Sequence, residues 1–172
     1  MRPAASAGRV ARGVLTLILA VYGWRCLRAP ADYRWLDSLD LAIHETGHLV
    51  FAFGGERLTL LGGTLFQLLV PAAFVVAMWR QGDRHGATAP LWWLGQNCWN
   101  ISVYAKDART EALPLVGGGE HDWALLLGQL GWLDRDQTIG GAIFLAGVLL
   151  YLVAVGGGAW LVLTDRTGEG TT

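Results

Sequence analysis

Charged residues fall in short clusters along this chain, and the stretches between them are apolar over lengths close to that of a membrane-crossing helix. A helix rises 1.5 Å per residue, so crossing a hydrocarbon layer of about 30 Å takes roughly 20 mostly apolar residues. That measure predicts spans over residues 13–27, 36–53, 58–79, 87–105 and 139–163, with no linker long enough to separate domains. The first is short and flanked by Arg9, Arg12, Arg25 and Arg28. It reads as a signal anchor; a cleaved peptide ending at Ala29-Pro30-Ala31 is the weaker reading, because arginines crowd the region before that site. The third carries no charge, and its Gly62-Gly63 pair allows close helix contact while Pro71 predicts a kink.

Between these spans the pattern breaks in recognisable ways. Gly54-Gly55-Glu56-Arg57 reads as a tight turn, and Arg80 to Gly86 as a polar loop. After the fourth span, Pro114 and Gly117-Gly118-Gly119 lead into a short helix over 124–133, expected to lie at the interface with Trp123 and Trp132 as anchors. The tail over 164–172 is polar and expected to be disordered.

Composition agrees with the pattern. The chain is 53% hydrophobic and 16% charged, against about 25% charged in soluble domains. The predicted fold is therefore all-α, a single multi-pass domain in the cell membrane with about five transmembrane helices and one short interfacial helix. A net charge of −1 and the absence of any Lys/Arg run exclude a nucleic-acid partner on electrostatic grounds. Cys26 and Cys98 form no metal-binding or disulfide pattern and read as packing residues. Lys and Arg divide almost evenly between alternate loops, so orientation stays open.

The second segment departs from the others, holding Asp37, Asp40, His44, Glu45 and His48. Ionisable groups at membrane depth are costly and normally face a protein interior or a watery cavity. His44-Glu45-Thr46-Gly47-His48 is an H-E-x-x-H motif. On a helix its two imidazoles share a face and can reach one metal ion, with the glutamate beside bound water. A catalytic zinc takes three protein ligands and an open position. The third ligand is expected from the pair His121 and Asp122, where one can bind and the other orient, with Asp107 as the alternative. His85 reads as solvated. On the fourth helix Asn97, Asn100 and Tyr104 share a stripe that Asp107 and Glu111 continue, and this stripe is expected to face a partner or a cleft.

With those residues in place, the chain resembles the site-2-protease clan of intramembrane zinc metalloproteases. The likeness rests on His44-Glu45-Thr46-Gly47-His48 within a span, Gly54-Gly55 just after it, and Asn and Asp on a later helix. The resemblance implies Zn2+ held by His44 and His48, Glu45 as general base, and a later aspartate completing the site. In that family this aspartate lies in Leu-Asp-Gly; here the aspartates stand in Lys106-Asp107-Ala108 and His121-Asp122-Trp123, which leaves the third ligand open.

The expected function is intramembrane peptide-bond hydrolysis of a membrane protein or peptide substrate, with Asn97, Asn100 and Tyr104 lining the cleft and the glycine-rich segment over 115–120 as a water route or gate. Two other classes remain: a non-catalytic membrane protein stapled by zinc, and a structural subunit without metal whose polar stripe is helix glue.

Overall fold

A computed structural model of the chain describes residues 2–115 and 120–164, with residues 2–6 as helical backbone alone. The Gly117-Gly118-Gly119 run and the tail beyond Thr164 lie outside the described residues. Among the described residues six α-helices run α1 (Arg2–Arg28), α2 (Trp35–Phe51), α3 (Glu56–Arg80), α4 (Thr88–Lys106), α5 (Asp122–Leu130) and α6 (Asp136–Thr164), with short 3-10 turns at Ala52–Gly54 and Leu133–Arg135. The described residues contain no strand.

Among the described residues three segments are long and apolar enough to cross a membrane: Ala7–Arg28, Glu56–Arg80 and Leu133–Thr164. The expectation of about five spans is thus met in three. The other two segments form helices, but α2 has only 17 residues and carries the polar cluster, while α4 interleaves its apolar residues with Gln96, Asn97, Asn100 and Ser102. The three apolar segments turn large side chains outward, among them Leu17, Val21, Phe74, Val76, Leu149 and Leu152. A surface of that kind is suited to lipid and costly in water.

Packing follows small residues. α2 lies against α3 where Gly47 meets Gly62: a Cβ on Gly62 would stand 2.7 Å from the Gly47 carbonyl oxygen, closer than real Cβ contacts allow. α4 lies along α6 in the same manner, since a Cβ on Gly147 would stand 2.7 Å from the Gly95 carbonyl oxygen. Close backbone approach of this sort is how helices associate where lipid removes the hydrophobic drive between them. Gly55, at φ 79°, makes the reversal between α2 and α3. α3 continues through Pro71.

Two apolar clusters fill the interior. One joins Cys26, Leu36, Trp92, Trp99 and Tyr151; the other joins Ile101, Ala105, Trp123, Leu126 and Leu127. Cys26 and Cys98 are buried free thiols. Trp123 belongs to the second cluster and is buried, which corrects its expected place as an interfacial anchor; Trp132 is exposed. α5 covers its apolar face against α3 and α4, with Trp123, Leu126 and Leu127 buried there.

Candidate metal centre

His44 and His48 project from one face of α2 with ring centroids 4.8 Å apart. Each ring has one nitrogen already assigned. His48 Nδ1–H donates to the Thr59 carbonyl oxygen at 2.8 Å, and His44 Nδ1 meets Gln67 Oε1 at 3.1 Å, both partners on α3. A carbonyl oxygen only accepts, so Nδ1 carries a proton, and in the neutral ring Nε2 presents a lone pair. Both Nε2 atoms face the same oxygen, Asp122 Oδ2, at 3.1 Å from His44 and 3.3 Å from His48. Asp122 is the first residue of α5. The Tyr104 hydroxyl holds it, accepting from Asp122 N at 3.1 Å and donating to Oδ2 at 3.4 Å.

Two lone pairs that face one carboxylate oxygen are repelled by it unless a proton or a metal cation lies between them. The ligand atoms of His44, His48 and Asp122 all fall within 4.8 Å of one another. Tetrahedral zinc with bonds of about 2.0–2.1 Å separates its ligand atoms by about 3.3 Å, close to the 3.1 and 3.3 Å found between each histidine and the aspartate. Nitrogen and carboxylate donors of this kind suit zinc, and the carbonyl partners at both Nδ1 atoms are the outer contacts that orient histidine ligands.

These residues open on a cavity of about 730 Å³ that Glu45 also lines. Glu45 is exposed to it, and its carboxylate forms no hydrogen bond or ion pair among the described residues. The lining contains Asp32, Asp37, Glu45, Glu120 and Asp122 and neither lysine nor arginine; Arg34, next to it, pairs with Asp32 at 3.7 Å.

The other residues singled out in the sequence separate. Of the pair His121 and Asp122, only Asp122 reaches the histidines. His121 instead caps α5, its Nδ1 accepting from Ala124 N at 3.2 Å, with its ring stacked on Tyr104. Its Nε2 lies 3.6 Å from Asp107 Oδ2, beyond hydrogen-bond distance. Asp107 stands apart from the cluster at the end of α4, accepting from the Thr110 hydroxyl and from the backbone N–H of Ala112 and Leu113. The expected stripe therefore stops at Asp107, because α4 ends and Glu111 enters a turn at φ 44°.

Asn100 and Tyr104 line the cavity, but Asn97 does not; it is fully buried and donates to the Trp93 carbonyl oxygen within α4. His85, expected in solvent, is only 5% exposed, with Nε2 at 3.1 Å from the Thr16 hydroxyl. Burial, with the Arg12 guanidinium nearby, holds its pKa below the usual histidine value.

Sequence reasoning missed Gln67, Asp37 and Gly63 as neighbours of the centre. Gln67 had a signal: it is the one amide side chain in the charge-free third segment, and an amide has no reason to face lipid. No family model, curated protein or solved structure matches this chain.

Proposed function

We propose that this chain is a zinc metallopeptidase embedded in the cell membrane, with α1, α2, α3, α4 and α6 all crossing the bilayer and a membrane protein or peptide as substrate. The observation that carries the reading is the convergence of His44 Nε2, His48 Nε2 and Asp122 Oδ2 beside Glu45, on a cavity large enough for a peptide segment. α2 and α4, too polar to face lipid alone, have α1, α3 and α6 as cover.

His44, His48 and Asp122 would hold the ion. Zinc there supplies positive charge that makes water acidic near neutral pH and polarises a carbonyl oxygen. Glu45 accepts the proton of the attacking water at its carboxylate and delivers it to the departing amine nitrogen. Its freedom from internal partners leaves it able to do both. Tyr104 keeps Asp122 aimed at the two histidines, and the Thr59 carbonyl oxygen fixes the His48 ring. Pro114, Leu115 and Glu120 line the cavity beside the centre.

Zinc content of detergent-purified protein tests the reading. About one zinc per chain, lost in His48→Ala and in Asp122→Ala, supports it. A folded wild type that binds none after zinc is supplied overturns it.

A further inference from the structure

A line of amides runs from the centre to a carboxylate two turns earlier on the same face of α2, and every link has a direction. Asp37 accepts three N–H groups: Oδ2 takes Arg34 N at 2.6 Å, while Oδ1 takes Gln96 Nε2 at 3.0 Å and Asn100 Nδ2 at 3.2 Å. An ionised carboxylate only accepts. Asn100 must therefore turn its NH2 toward Asp37, which leaves Asn100 Oδ1 facing Gln67. That oxygen accepts from Gln67 Nε2 at 3.1 Å, so Gln67 turns its own Oε1 toward His44 Nδ1, 3.1 Å away. His44 Nδ1 is then compelled to carry a proton, so that the neutral ring presents its lone pair at Nε2.

From this geometry we infer that Asp37 is a remote positioning residue for the metal centre, one that fixes the tautomer of His44 through Asn100 and Gln67. The inference rests on the zinc reading for its purpose, though not for its geometry. His48 needs no such device, because a backbone carbonyl can only accept. A glutamine can turn over and offer either end, so its orientation must be imposed from elsewhere. Gln67 is 2% exposed, and its amide nitrogen donates to Asn100 Oδ1. Asp37 also starts α2 by accepting from Arg34 N, so one carboxylate both begins the helix that carries the motif and sets the polarity of its first histidine.

Replacing Asp37 by asparagine keeps the shape and removes the constraint. The substituted amide can accept from Asn100 only by facing its NH2 toward the Arg34 N–H, or serve Arg34 only by facing its NH2 toward Asn100; either way the amides lose their enforced direction. Putting the carboxylate next to the histidine restores it. In Asp37→Asn/Gln67→Glu the carboxylate at position 67 accepts from His44 directly, Asn100 turns its NH2 to position 67, and the amide at position 37 donates to Asn100 Oδ1.

The test uses the full chain in detergent with two readouts. Zinc affinity is measured by chelator competition, and the His44 tautomer by 15N shifts of metal-free protein, assigned with His44→Asn. Asp37→Asn should weaken zinc binding by about tenfold or more, the range for outer contacts of metal ligands, and should give His44 a mixture of tautomers. The double variant should recover affinity to within about threefold of Gln67→Glu alone, with His44 protonated at Nδ1. An equal loss on Asp37→Asn in both backgrounds, or an unchanged tautomer, overturns the relay. Wild type that binds no zinc yet holds His44 protonated at Nδ1, with Asp37→Asn releasing it, would sink the zinc reading and leave the relay standing.

Discussion

Gly63 lies directly against the imidazole of His44. A Cβ at position 63 would run into His44 Nε2 and stand 2.6 Å from Cδ2 and 2.7 Å from Cε1. The ring that presents a lone pair to Asp122 thus rests on a backbone position with no side chain. Gly63→Ala is expected to displace that ring and weaken zinc binding by about tenfold or more, the range for disturbed support of a metal ligand, with helicity unchanged. Gly62→Ala strikes the Gly47 backbone and Phe51 Cβ at 2.7 and 2.8 Å, so it should chiefly lower the melting temperature by separating α2 from α3. Zinc affinity and thermal unfolding of the two variants side by side check this; a Gly63→Ala protein with wild-type affinity would show that the ring has room to move.

Local periodicity made part of this centre legible. Four residues are about one helical turn, so His44 and His48 had to share a face whatever the fold. Asp122 was legible only as one of a pair, because choosing between it and His121 depends on how α5 packs against α3 and α4, which no local spacing fixes. Gln67 and Asp37 act across helices, through contacts 23 and 63 residues apart in the chain, and no spacing rule reaches so far. The number of spans blurred for a related reason: hydropathy measures exposure to lipid, while α2 and α4 take their place by packing on other helices.

Glu45→Gln separates binding from chemistry. Glutamine keeps the size of the side chain and cannot take up a proton, so zinc content should match wild type. Peptide hydrolysis should fall by about 10²–10⁴-fold, the range for loss of a positioned general base. Cleavage at the wild-type rate in a zinc-loaded Glu45→Gln protein would remove Glu45 from that role.

His121 and Asp122 should part company on substitution. Asp122→Ala removes a carboxylate that both histidines face and should abolish stoichiometric zinc. His121→Ala removes the cap of α5 and the ring stacked on Tyr104. It should retain zinc at about one per chain while losing about 0.5–2 kcal/mol of stability, the usual cost of a lost helix cap. Metal analysis and thermal unfolding of both variants decide the matter, and zinc lost from a folded His121→Ala protein would return His121 to the ligand set.

Asp107 gives a pH-dependent prediction outside the metal centre. Burial pushes its carboxyl up, but the Thr110 hydroxyl, the Leu113 and Ala112 N–H groups and the nearby His121 imidazole together outweigh burial and hold it below its usual value. A carboxyl with a lower pKa folded than unfolded binds fewer protons in the folded state, so it stabilises fully above its unfolded pKa of about 4. That contribution fades as pH falls below about 4 and through the folded pKa. Asp107→Asn should therefore be less stable than wild type at neutral pH, by about 1–3 kcal/mol for weakened hydrogen bonds to a charged acceptor. The gap should narrow progressively below about pH 4 as wild-type Asp107 takes up its proton. Melting temperatures of both proteins from about pH 7 down to about pH 3 measure that narrowing, and a gap independent of pH would mean that Asp107 acts by shape alone.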